Sequence, residues 1–298
     1  MFAGIAANAG GTNVWHHYRV PTPIDQQTVI RMNRDTLYSA AVVDISRGAT
    51  LTIPEAGERY LSVMIVNQDH YINRVFHEAG EHSLTPDELG SDFVLVAARV
   101  LVDAEDPADV AAVNALQDGF GLESVAGGAF VPPVYDEESF QRTRNALLEL
   151  ARGLGGMDRC FGRREDVDPI RHLLGTATGW GGLPEQEAYY VMVDPGLPVG
   201  EYSLTVGGVP VDGFWSVSMY NADGYFAPNP QDAYSVNNIT AVPNADGTVT
   251  IRFGGDLTRP NTLPIVDGWN YAVRLYRPRP EIIDGTWQFP TFQQETQS

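Results

Sequence analysis

Two stretches of this 298-residue chain repeat one another, and the repetition restricts the fold more than any other feature of the sequence. Residues 50–71 read TLTIPEAGERYLSVMIVNQDHY, and residues 203–225 read SLTVGGVPVDGFWSVSMYNADGY. Leu51-Thr52-Ile53 aligns with Leu204-Thr205-Val206. After a one-residue shift, Ser62-Val63 aligns with Ser216-Val217, and Asn67, Asp69 and Tyr71 align with Asn221, Asp223 and Tyr225. Large apolar residues alternate in phase in both copies, at one spacing of about 153 residues. Alternation is the period of a strand in a sheet. The chain is therefore expected to contain two copies of one β unit, with strand 60–66 matching strand 214–220.

Other short runs rich in Val, Ile, Tyr and Thr extend this pattern: 93–102, 188–193, 202–206, 248–253 and 271–276. A further strand is expected to begin at Thr28-Val29-Ile30-Arg31-Met32. The middle of the chain differs. Residues 106–119, 136–154 and 168–175 have helical spacing, with Asp136 as an N-cap and Phe140, Leu147, Leu148 and Leu150 in a stripe. The expected fold class is mainly β with a helical middle segment, built as two related β-sandwich or jelly-roll-like units. The expected boundaries are 1–135 for an N-terminal β domain, 136–180 for a helical connector and 181–298 for a C-terminal β domain.

The charge balance excludes several functions. With a net charge of -19, the chain lacks the basic face that nucleic acid or an anionic membrane surface requires. All 19 basic residues are arginine, so Schiff-base, phosphate-loop and Ser-x-x-Lys chemistries are absent. One cysteine, Cys160, excludes an internal disulfide and reads as structural. The sequence opens without a positively charged leader and has no apolar run long enough to span a bilayer, so a cytoplasmic location is expected. Motifs of serine hydrolases, zincins and dinucleotide-binding enzymes are missing.

Candidate site residues concentrate in RMNRDTLYSA, residues 31–40. On an extended chain Arg31, Asn33 and Asp35 share one face, where arginine can hold a carboxylate or phosphate and aspartate can carry a proton. Arg34 is a second anion-binding candidate, Tyr38 a donor to an oxyanion, and Arg274 a further binding residue on the strand that also carries Tyr276. The alternative is a structural Arg–Asp pair that ties down a turn. In the second candidate stretch, 67–82, the duplication separates roles. Asn67 and Asp69 have counterparts and read as turn formers, whereas His70 stands where the other copy has Gly224 and is the preferred acid/base. His77 and His82 read as surface residues, and a metal site built from these histidines fits no established ligand spacing. A third cluster, Trp15-His16-His17-Tyr18-Arg19, reads as a packed chain entry. Trp215 and Tyr220 read as core. No cofactor is required by this set.

The motifs VIRMNRDTLYSAAVVDIS, ERYLSVMIVNQDHY, VDGFWSVSMYNADGYF and NTLPIVDGWNYAVRLYRPRPEIIDGTWQFP resemble the paired bacterial families called domain of unknown function 1254, at the N-terminal end, and 1214, at the C-terminal end. The resemblance implies two mainly β domains with a helical segment. It also implies that many relatives are exported, which conflicts with the expectation of a cytoplasmic location. Two functions follow from the residues. The preferred one is an enzyme of hydrolase or lyase type acting on a small polar or anionic substrate, with His70, Asp35 and Tyr38 catalytic and Arg31, Arg34, Asn33 and Arg274 binding. The alternative is a non-catalytic protein that binds a carbohydrate or similar small ligand. The expected partner is a small molecule, and a homo-oligomer stays open.

Overall fold

A computed structural model describes residues 1–27 and 30–294. The chain divides into two compact units, the first made of residues 1–19, 37–101 and 111–185, the second of residues 20–36, 102–110 and 186–298.

The first unit opens with α1 (Phe2–Ala9) and β1 (His16–His17), then β2 (Thr36–Asp44), β3 (Ala49–Ile53), β4 (Leu61–Asn67), β5 (Ile72–Phe76) and β6 (Gly80–Leu84). The short α2 (Pro86–Leu89) leads to β7 (Phe93–Leu101), α3 (Pro107–Asp118) and β8 (Gly121–Ser124), followed by α4 (Glu137–Ala151) and α5 (Pro169–Thr178). The second unit contains β9 (Ala188–Val193), β10 (Tyr202–Val206), β11 (Trp215–Tyr220), β12 (Ser235–Asn237), β13 (Val249–Phe253), β14 (Thr262–Leu263), β15 (Asn270–Tyr276), α6 (Pro280–Ile283) and β16 (Gln293–Gln294).

The units have the same strand order. In the first, β2-β7-β4-β5 form one sheet, with β1 added at its edge, and β6-β3-β8 form the other. In the second, β9-β15-β11-β12 form one sheet, and β13-β10-β16, with β14 at the edge, form the other. Strand 61–67 and strand 215–220 therefore hold equivalent places, as the repeat requires. Register agrees too, since Ser62 pairs with Arg99 across β4 and β7, and Ser216 pairs with Arg274 across β11 and β15.

The repeated Asn-x-Asp-x-Tyr is one turn built twice. Asn67 Oδ1 accepts from the backbone N–H of Asp69 (3.0 Å) and of Tyr71 (2.9 Å). Asn221 Oδ1 accepts from Asp223 N–H (3.1 Å) and Tyr225 N–H (3.0 Å). Such a side-chain bond replaces a backbone turn bond. The residue before the tyrosine must then turn left-handed, at φ 82° for Gly224 and φ 68° for His70. Glycine takes that conformation freely; histidine pays roughly 1–2 kcal/mol.

Alternation decides what each sheet face meets. In the second unit Trp215, Val217 and Met219 of β11 and Tyr271, Val273 and Leu275 of β15 join Leu204 of β10 and Ile251 and Phe253 of β13 in one apolar cluster. The residues between them, Ser216, Ser218, Tyr220 and Arg274, are buried on the opposite face.

Three expectations change. Thr28 and Val29 lie outside the described residues, and Ile30 and Arg31 form a turn with Arg31 at φ 52°, so the strand expected at 28–32 is absent from its described part. Residues 31–36 of the polar stretch end a crossing segment of the second unit, with residues 31–35 outside any strand, whereas Thr36–Ala40 open β2. Segment 136–180 falls wholly within the first unit. Asp136 does cap α4, accepting from Ser139 N–H at 2.7 Å, but α4 buries none of its residues. Among the described residues no helix is long and apolar enough to cross a membrane.

Candidate functional site

The crossing segment is held on the second unit by Arg274, which is only 3% exposed. Its guanidinium donates to Ser218 Oγ (2.7 Å), Tyr220 Oη (2.7 Å), Arg31 O (2.8 Å) and Met32 O (3.2 Å). Burial opposes the charge, but Tyr220, Tyr276 and Asp35 raise the Arg274 pKa above the usual arginine value. Burial also raises the Tyr220 pKa, so its phenol keeps its proton and donates to Met32 O at 2.7 Å. Arg31 N–H donates to Gly224 O at 2.7 Å, which seats the segment on the turn. Asn33 Nδ2 donates to Tyr276 Oη (3.0 Å), and its Oδ1 accepts from Asp35 N–H (2.9 Å). Arg274 and Asn33, expected as ligand-binding residues, thus shape the segment that presents Asp35.

Asp35 is 1% exposed. Its Oδ1 accepts from Ser235 Oγ (3.0 Å) and Asn237 Nδ2 (3.1 Å), both on β12, and its Oδ2 has no partner among the described residues. A buried acceptor without a donor costs about 1–3 kcal/mol, so it calls for an explanation. Asp35 lines a cavity of about 360 Å³ in the second unit, together with Arg34, Glu105, Tyr234, Asn237 and Arg259. The Arg34 guanidinium is already engaged by Thr22 O and by Glu105 Oε1 (3.4 Å), and lies 5.2 Å over the Tyr234 ring. Burial, followed by Asp232 and Asp103, raises the Glu105 pKa in spite of Arg34. The wall is rich in acceptors, hydroxyls and amides.

His70 and Tyr38 lie in the first unit, whereas Asp35, Arg31, Arg34, Asn33 and Arg274 lie in the second. Neither unit by itself contains the expected His70–Asp35 pairing. His70 is 5% exposed and both ring nitrogens are occupied. Gly181 N–H donates to Nε2 at 2.8 Å, so the proton sits on Nδ1, which faces Thr176 Oγ1 at 2.8 Å. Burial, followed by the neighbouring His172, lowers the His70 pKa to about 4. Arg99 donates to Gly181 O at 3.0 Å, and its guanidinium lies 5.5 Å over the Tyr38 ring. His70 and Tyr38 are thereby linked through Gly181 and Arg99.

Three other histidines bond to neighbours within the first unit. His17 Nδ1 meets Ser39 Oγ at 2.8 Å, His77 Nδ1 meets Leu61 O at 2.9 Å, and His82 Nε2 meets Glu78 O at 3.0 Å. Among the described residues no three His, Cys, Asp or Glu side chains converge as a metal-ion set. Cys160 is buried, and burial raises its thiol pKa.

Sequence reasoning missed Ser235 and Asn237, which hold Asp35, and Arg99, the counterpart of Arg274. The pairing of each arginine with a repeated serine is a usable signal, but a fixed repeat spacing hides it: Arg99 and Arg274 are offset by more than Ser62 and Ser216 are, because the connections between strands differ in length.

These features define a class of mainly β proteins formed by duplication, with one buried carboxylate beside a cavity. Residues 12–87 match the family described as Protein of unknown function (DUF1254), and residues 198–280 match the one described as Protein of unknown function (DUF1214). The chain is a paired DUF1254 and DUF1214 protein, in that order from the N-terminus. No curated protein matches it. Among solved structures it is similar in fold to the VPA0106 protein from Vibrio parahaemolyticus, with 18% identity, a TM-score of 0.71, and 89% of this chain and 90% of that one covered. It is also similar to an uncharacterised protein from Burkholderia cenocepacia, with 16% identity, a TM-score of 0.54, and 93% and 81% covered.

Proposed function

We propose that the second unit binds a small polar molecule in the cavity beside Asp35, and that Asp35 Oδ2 accepts a hydrogen bond from it. The observation that carries this reading is the asymmetry of the carboxylate, with Oδ1 fixed by two donors and Oδ2 buried without one, on a residue that lines the cavity. A fixed orientation with one unpaired acceptor suits a hydroxyl- or amine-bearing ligand such as a sugar, a polyol or a small amine. An anionic ligand is disfavoured, because the Arg34 guanidinium is spent on Thr22 O and Glu105. Hydrolase- or lyase-type turnover is the second reading. The same unpaired oxygen can take a proton from a bound hydroxyl or water, with Asp35 as general base.

The test is thermal unfolding of the wild type and Asp35→Asn with a panel of monosaccharides, polyols and small amines. A binding compound present at 100 times its Kd should stabilise the wild type by about 2.7 kcal/mol and leave Asp35→Asn unmoved. Compounds that shift both proteins equally, or none that shifts the wild type, would sink the assignment. Chemical analysis of the recovered ligand then separates the two readings, since conversion by the wild type alone marks an enzyme.

A further inference from the structure

Each unit has a crossing segment fastened to its turn in the same way, and only one of the two fastenings uses a histidine as the acceptor. In the second unit Arg31, at φ 52°, gives its N–H to Gly224 O (2.7 Å) and its carbonyl to Arg274 (2.8 Å). In the first unit Gly181, at φ 80°, gives its N–H to His70 Nε2 (2.8 Å) and its carbonyl to Arg99 (3.0 Å). A main-chain acceptor in one copy is thus replaced by an imidazole in the other, at a left-handed position where the fold prefers glycine.

We propose that the His70–Gly181 bond is an acid-sensitive latch, in which protonation of His70 releases residues 179–182 while the sheets of the first unit stay folded. The chemistry is direct. A proton on Nε2 turns the acceptor into a donor and sets N–H against N–H. The groups facing His70 do not offset the new charge. His172 of α5 stacks on it at 5.5 Å, and Thr176 Oγ1 of α5 meets Nδ1. The rings of Trp180 and Phe161 lie 4.7 and 5.9 Å away. Arg99 of β7, a second cation, holds the other side of Gly181. The backbone oxygen of Asp69 faces His172 Nε2 at 3.4 Å. Burial and His172 keep the ring neutral at neutral pH, so the latch is closed there and opens in acid. Residues 179–182 precede β9 along the chain and belong to the first unit.

The test is hydrogen–deuterium exchange of full-length wild type, His70→Gln and His70→Gly at pH 7 and pH 4, corrected for the intrinsic pH dependence of exchange. In the wild type, protection of residues 179–182 should fall at least about tenfold at pH 4 while the β4 amides keep theirs. His70→Gln, a neutral acceptor, should lose much less. His70→Gly, with the residue of the other copy and no side-chain acceptor, should be unprotected at 179–182 at both pH values. Unchanged protection of wild type at pH 4, equal loss in His70→Gln, full protection in His70→Gly at pH 7, or loss at β4 together with 179–182 would each overturn the latch.

Discussion

His70 couples acidity to stability in a calculable direction. Its pKa is near 6.5 in an unfolded chain and about 4 in the folded one. Between those values the unfolded state binds more protons, so acid favours unfolding. The contribution is fully present above pH 6.5, is lost as the pH falls toward about 4, and changes no further below that. A shift of this size corresponds to about 3 kcal/mol. Urea unfolding of the wild type and His70→Gln at pH 7 and pH 4.5 should show a larger acid loss in the wild type by about 2–3 kcal/mol. Equal losses would show that the histidine titrates alike in both states. At this scale the sequence was informative where roles are local. The two Asn-x-Asp-x-Tyr turns and the departure of His70 from Gly224 follow from spacing, because an Asx turn is made by residues two to four positions apart. The partners of Asp35 were not legible, since Ser235 and Asn237 are about 200 positions away.

Between elements, the paired arginines are the parts with the largest expected effect. Arg274→Met removes the donor to the Ser218, Tyr220, Arg31 and Met32 oxygens at once, with Met32 O keeping the Tyr220 hydroxyl. The expected cost is about 3–5 kcal/mol, read as a fall in the urea midpoint. Arg274→Lys should recover little of it, because one ammonium cannot reproduce a planar fork spread over four acceptors. A loss below about 1 kcal/mol would mean that the crossing segment is held by something else. The strand alternation behind this arrangement is visible in the sequence, as is the cap Asp136. The crossing segment is not. Its polar residues look like one face of a strand, but they are arranged by a left-handed Arg31 and an Asn33 turn, neither of which has a periodic signature.

For the whole molecule, chain order and unit membership disagree in a reciprocal way. Residues 20–36 lead into β2 of the first unit but belong to the second, and residues 179–185 lead toward β9 of the second but belong to the first. A fragment of residues 186–298 lacks the carbonyls that Arg274 binds, so it should melt non-cooperatively by circular dichroism. Fusing residues 20–36 ahead of it through a flexible linker should restore a β spectrum with a sharp transition. Cooperative folding of the unfused fragment would show that the segment is dispensable. By itself the sequence determined the mainly β class, the duplication and the turns, because alternation, repeat spacing and side-chain capping act between near neighbours or between copies of one pattern. Only the tertiary structure decided that the stretch before β2 serves the other unit, that Asp35 and His70 belong to different units, and that one buried oxygen of Asp35 has no donor among the described residues. Those outcomes depend on which distant donors a buried charge finds, and no local period records that.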